Sequence, residues 1–176
     1  MEELQELYKW YQSQTPKTAV YDPNVELWYL SVGFNAELGE FGNATDREKA
    51  IDELGDLFWF TAQLANFLNV SLFALRNSPV GLTHEGHEWS PPAGDSFAIA
   101  VHAQETMDWH DKVAKHARDG RDIYEESCLF LTRTVLTLEA VAEQINIPIA
   151  DLLQGNIAKL QSRQQRGVLQ GSGDNR

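Results

Sequence analysis

Apolar residues recur at helical spacing along most of the chain. Residues 2–12 fit a short helix, and the two prolines of TPKTAVYDP (15–23) mark a loop. Pro23-Asn24 then opens a helical pattern from about 25 to 43. Asn43-Ala44-Thr45 breaks it, and Thr45 or Asp46 is placed to cap a third helix reaching about Asn69. That third stretch holds no proline, and its one glycine is Gly55. Helical patterns resume at about 96–118, 122–145 and 148–166. No alternating stretch of useful length is present, so the expected fold is all-α, a helix bundle.

Residues 79–95, PVGLTHEGHEWSPPAGD, read as a linker rich in proline, glycine and histidine. The expected organisation is a single all-α domain over 1–176. It divides into an acidic half (1–78), the linker, and a more basic half (96–176) ending in the glycine-rich tail GVLQGSGDNR. ANFLNVSLFAL (65–75) resembles AEQINIPIADL (142–152) at an offset of 77 residues. This is either a degenerate tandem repeat or a turn style shared by two helical hairpins.

Charge sharpens this division. The net charge is -12, which speaks against a duplex nucleic-acid partner. Residues 1–100 hold 5 basic against 15 acidic side chains, and 101–176 hold 9 against 11. The start is acidic rather than signal-like, no apolar run has membrane-span length, and Cys128 has no cysteine to pair with. A soluble, cytoplasmic protein is expected.

The candidate chemistry lies in AELGEFGNATDREKAIDELGD (36–56). Residues three apart share a helix face, so Glu37 pairs with Glu40 and Glu53 with Asp56. A short connection makes the two helices antiparallel neighbours, so the four carboxylates converge on one seam. LFWF (57–60) follows at once, and a helix apolar on most sides is a buried one. Buried carboxylates are paired, protonated or bound to metal. Arg47 and Lys49 are the only bases nearby in sequence. An all-oxygen set suits a hard cation, Mg2+ or Mn2+. A solvated acidic face is the competing reading.

GFNAELGE (33–40) followed by DELGDLFWFTAQLA (52–65) resembles the MazG-like all-α nucleoside triphosphate pyrophosphohydrolases, whose mark is EExxE followed by ExxD on consecutive helices. TAVYDP, LWYLSVGF and NIAKLQSRQQRGVLQGSGDNR are similar to the two ends of such proteins. The resemblance implies that Glu37, Glu40, Glu53 and Asp56 hold Mg2+ and carry catalysis. A nucleoside triphosphate, a dNTP or non-standard NTP, would be split to the monophosphate and pyrophosphate. The bundle would be built from two subunits or, with a repeat, as an intramolecular pseudo-dimer. Ala36 stands where the motif has its first glutamate, and the basic KK…RDG segment of many short members is missing between the acidic motifs.

A similar basic segment occurs later, in ETMDWHDKVAKHARDGRDI (105–123). Lys112, Lys115, Arg118 and Arg121, with Arg133, are candidates to meet phosphate. A solvated helix of alternating charge explains the same residues. Asn156, Lys159, Arg163 and Arg166 on the last helix, and Asn175 and Arg176 in the tail, are further candidates for phosphate or ribose. Trp10, Tyr21, Trp28, Tyr29 and Trp59 are either base-stacking partners or core. HEGHEW (84–89) lacks the spacing of a zinc-protease HExxH motif. Retirement of the site to a nucleotide- or protein-binding module is the alternative to catalysis.

Overall fold

The computed structural model describes residues 1–78, 83–84, 87–88 and 95–169, with side chains for 1–78, 105–116 and 118–169. The architecture is an all-α helix bundle. Its helices are α1 (Glu2–Gln14), α2 (Glu26–Gly42), α3 (Arg47–Phe67), α4 (Leu72–Arg76), α5 (Asp95–Asp119), α6 (Tyr124–Gln144) and α7 (Ile149–Gln165). The loop expected at 15–23 holds short 3-10 turns at Thr15–Thr18 and Pro23–Val25. Within the expected linker, Thr83–His84 and His87–Glu88 pair as a minimal antiparallel ladder, a local order that composition did not signal. The rest of that segment and the tail from residue 170, with Asn175 and Arg176, lie outside the described residues. Among the described residues, no helix is long and apolar enough to cross a membrane.

The apolar stretch noted above becomes the centre of the bundle. From Glu53 to Ala65 every residue of α3 except Asp56 is buried, because α2, α6, α7 and α1 all pack on it. Asp46 starts the helix, its carboxylate accepting from the Lys49 backbone N–H at 2.9 Å. That bond, first among the causes, holds Asp46 below the usual carboxylate range. Two glycines set the close approaches. A Cβ at Gly33 would lie 2.3 Å from the Phe60 ring, and one at Gly55 would lie 3.1 Å from Asn156. These contacts let α2 and α7 close on α3 beside the acidic residues.

The likeness of the two stretches extends to their geometry. α3 and α6 are both 21 residues long, and Arg47–Phe67 shifted by 77 is Tyr124–Gln144. Both helices end in a left-handed asparagine, Asn69 at φ 55° and Asn146 at φ 58°. The closing bonds match: Val70 N–H to Ala65 O and Ile147 N–H to Ala142 O, both 2.9 Å. Arg47 at the start of α3 donates to the Ile145 and Asn146 carbonyls at the end of α6, at 2.8 and 2.7 Å. The hairpins thus pack with the start of one central helix against the end of the other. One hydrophobic cluster, from Tyr8 to Ile157, draws on both halves.

Candidate metal centre

α2 and α3 form the seam that the carboxylate spacing anticipates. Glu37 and Glu40 lie one turn apart near the end of α2, and Glu53 and Asp56 near the start of α3. One carboxylate oxygen from each of Glu37, Glu40 and Glu53 lies within 4.8 Å of the other two. Glu53 is buried, Glu37 half-buried and Glu40 exposed, so the cluster opens to solvent on one side.

The electrostatics are strained. Burial first, then Asp56, Glu40 and Glu53, push Glu37 up to about 8, against the pull of Lys159. Glu53 is also raised, by burial first, with Lys49 offsetting part of the effect. Three carboxylates at this separation favour holding a proton or receiving a cation. All the donor atoms are hard oxygens, which fits Mg2+ or Mn2+.

Asp56 stands apart from that trio because α7 claims it. Asn156 Nδ2 donates to its Oδ1 at 2.7 Å, and Lys159 Nζ to its Oδ2 at 2.7 Å. Lys159 also pairs with Asp52 at 3.2 Å, and Lys49 with Glu53 at 3.2 Å, one helical turn away. Two of the four acids are therefore met by lysines, where sequence proximity left them undercompensated. Arg47, the other nearby base, is committed to the end of α6. Tyr11, wholly buried, donates its hydroxyl to Asn156 Oδ1 at 3.0 Å and to the Gly55 carbonyl at 3.4 Å. Tyr11, Lys49, Asp52 and Gly55 thus belong to the site, although the motif reading did not include them. Lys49 was legible, four residues before Glu53. Tyr11, 44 residues from Gly55, had no local signal.

Of the last-helix candidates, Asn156 and Lys159 reach the acids, and Arg163 lies buried further along the same face of α7. The basic segment behaves differently. Lys115 pairs with Asp111, and Arg118 and Arg121 both pair with Asp119, in solvent. These carboxylates belong to the same segment, not to α2 or α3. Such exposed pairs match the alternating-charge reading of this stretch. Lys112 lines a cavity of about 250 Å3 between α5 and α6, together with Trp109, Phe130 and Arg133. At the repeat offset, Phe130 and Arg133 are the counterparts of Glu53 and Asp56. The cavity beside the second hairpin thus combines the aromatic pair Trp109 and Phe130 with the carboxylates Glu105, Asp108, Asp111 and Glu126, Glu105 being paired with Arg133 at 3.3 Å. Of the aromatic candidates, Trp59 is core, its Nε1 donating to Thr18 Oγ1. Tyr21 and Tyr29 stack on each other with centroids 4.7 Å apart. Trp28 is 67% exposed.

An all-α bundle with a carboxylate cluster on an interhelical seam is the class of protein that fold and site define. No family model matches the chain, and no solved structure matches it. The chain is similar to the "Gene 37 protein" of Mycobacterium phage L5, with 53% identity over 36 residues. That stretch is 20% of this chain and 32% of that protein, so the match spans about a third of the relative's length.

Proposed function

We propose that the chain is a Mg2+-dependent nucleoside triphosphate pyrophosphohydrolase of the MazG-like kind, releasing pyrophosphate and a nucleoside monophosphate from a dNTP or non-standard NTP. The observation carrying this reading is the Glu37–Glu40–Glu53 cluster, its oxygens within 4.8 Å of one another, with Glu37 pushed up to about 8. A hairpin that keeps such strain at an open seam is organised to receive a cation. Glu37, Glu40 and Glu53 would hold Mg2+, with Asp56 completing the set. The ion would supply polarisation of the α-phosphoryl group and acidify a water there.

The chain's own residues supply the rest. Glu37 or Glu40, whichever is less committed to the ion, takes the proton of the attacking water. Asn156 and Lys159 hold Asp56 through N–H donors, and the Lys159 ammonium offsets charge developing on phosphate oxygens. In this reading the two hairpins serve as an intramolecular pseudo-dimer. A monomer by light scattering with full activity supports that arrangement, and activity confined to a tight dimer refutes it.

The second reading is a silent nucleotide- or protein-binding module. It is favoured by one observation: both oxygens of Asp56 are already engaged by α7. Incubating the protein with a panel of NTPs and dNTPs, in Mg2+ or EDTA, separates the two. Pyrophosphate that requires Mg2+ and disappears in Glu53→Ala supports the enzyme. No release from any nucleotide by the folded protein supports the module.

A further inference from the structure

The ammonium of Lys159 occupies one oxygen of Asp56, the acid beside the Glu37–Glu40–Glu53 trio. Its Nζ is 2.7 Å from Asp56 Oδ2, 3.2 Å from Asp52 Oδ1 and 3.5 Å from the Asp52 carbonyl. The side chains of Lys159 and Asp56 are only 17% and 18% exposed, so water screens the pair weakly. The other Asp56 oxygen is held by Asn156, which is buried and pinned in turn by Tyr11. One partner of Asp56 is thus a fixed neutral amide, and the other a flexible cation on a four-carbon stem.

We propose that Lys159 is an internal counter-cation, holding Asp56 in the metal-free protein and passing to the triphosphate when the metal binds; this rests on the metal-dependent reading above. A divalent ion on Asp56 and an ammonium 2.7 Å from the same carboxylate repel each other, so one displaces the other. Asp52, with its side chain 48% exposed, gives the displaced amine a resting place at the lip of the site. There the donors not taken by Asp52 can turn to phosphate oxygens. Asn156 stays and keeps Asp56 in place. Metal and triphosphate binding are therefore coupled through one side chain, and the coupling is reciprocal.

The consequence is a pair of effects of opposite sign. Removing the amine relieves the metal of a competitor and deprives the triphosphate of a ligand. Isothermal titration of Mg2+ alone into wild type, Lys159→Met and Lys159→Gln should show a dissociation constant lower by about three- to tenfold in both variants. Inorganic tripolyphosphate titrated at saturating Mg2+ should bind both variants about tenfold more weakly. Melting curves establish that each variant is folded, and Lys159→Gln retains an amide if Lys159→Met proves unstable. Unchanged or weaker Mg2+ binding in the folded variants overturns the proposal, because a purely structural lysine loses both affinities together. Wild-type protein that neither binds Mg2+ nor releases pyrophosphate overturns the proposed function, and this proposal with it. Wild type that does both, with variants that do not shift in opposite directions, overturns this proposal alone.

Discussion

Glu37→Gln should make the metal-free protein more stable and abolish its stabilisation by Mg2+. Glu37 rises from an ordinary value of 4.5 to about 8 in the folded chain. A carboxyl raised in this way gives its full stability below the unfolded value and loses it as pH climbs through the folded one. At pH 7 the unfolded chain has released the proton that the folded chain still largely holds. Each unit between 4.5 and pH 7 costs about 1.4 kcal/mol. That makes about 3 kcal/mol as an upper bound, which we reduce to about 1–3 kcal/mol for the open side of the cluster. In a chain of 176 residues this corresponds to a rise of roughly 3–10 °C in melting temperature. Melting followed by circular dichroism in EDTA from pH 4.5 to pH 9 is the assay. The Gln variant should match wild type at the acid end, pull ahead as pH rises, and level off above pH 8. With Mg2+ at pH 8 the order should reverse, because wild type gains a ligand set that the variant lacks. A variant no more stable than wild type at pH 8 in EDTA would refute the strain argument. So would an advantage of equal size at pH 4.5, which would have nothing to do with ionisation.

Gly55→Ala brings a Cβ to 3.1 Å from Asn156. It should cost about 1–2 kcal/mol net of improved helix propensity, read by urea unfolding. Gly39→Ala, with nothing within 4 Å of the added carbon, should instead gain about 0.5–1 kcal/mol in the same assay. Tyr11→Phe strands the buried Asn156 Oδ1 without its 3.0 Å donor, and should cost about 1–3 kcal/mol and weaken Mg2+ stabilisation. Asn69→Ala and Asn146→Ala each place alanine at a left-handed φ of 55° or 58°. Each should lose about 1–2 kcal/mol, the two losses being equal if the hairpins are true repeats.

Much of the fold was legible because helix period and end signals are local. Asp46 caps α3, and Asn43 and Gly120 lie just past α2 and α5, where breaks were read. The trio Glu37, Glu40 and Glu53 was legible because one helical turn and a short connection suffice to bring them together. Asp56's attachment to α7 was not, since Asn156 lies 100 residues away and reaches it only through the glycine contact at Gly55. The basic segment shows the opposite case. Its pattern fits a phosphate role and an alternating-charge helix alike, and Asp111 and Asp119 pair with Lys115, Arg118 and Arg121 in the structure. Charge along a sequence does not reveal which partner is nearest.

The difference between the two hairpins explains how the first can bear electrostatic strain. At the positions equivalent to Glu53 and Asp56, the second hairpin has Phe130 and Arg133. Phe130 is buried, stacks on Trp109 with centroids 4.5 Å apart and meets Phe34 edge-on at 5.7 Å. Phe34 lies one turn before Glu37 and Leu38 on α2. The aromatic packing of the second half therefore reaches across and braces the helix that carries the acids. A second buried acid at the position of Phe130 would have added a further desolvation cost to the core; an aromatic there leaves Glu53 as the buried carboxylate of the pair. Strain is then confined to α2 and the start of α3. Mg2+ should accordingly slow amide exchange there, at Glu37–Gly42 and Arg47–Asp56, and leave the equivalent turns of α5 and α6 unchanged. Uniform protection of both hairpins would mean that the whole bundle, and not the first hairpin, carries the strain.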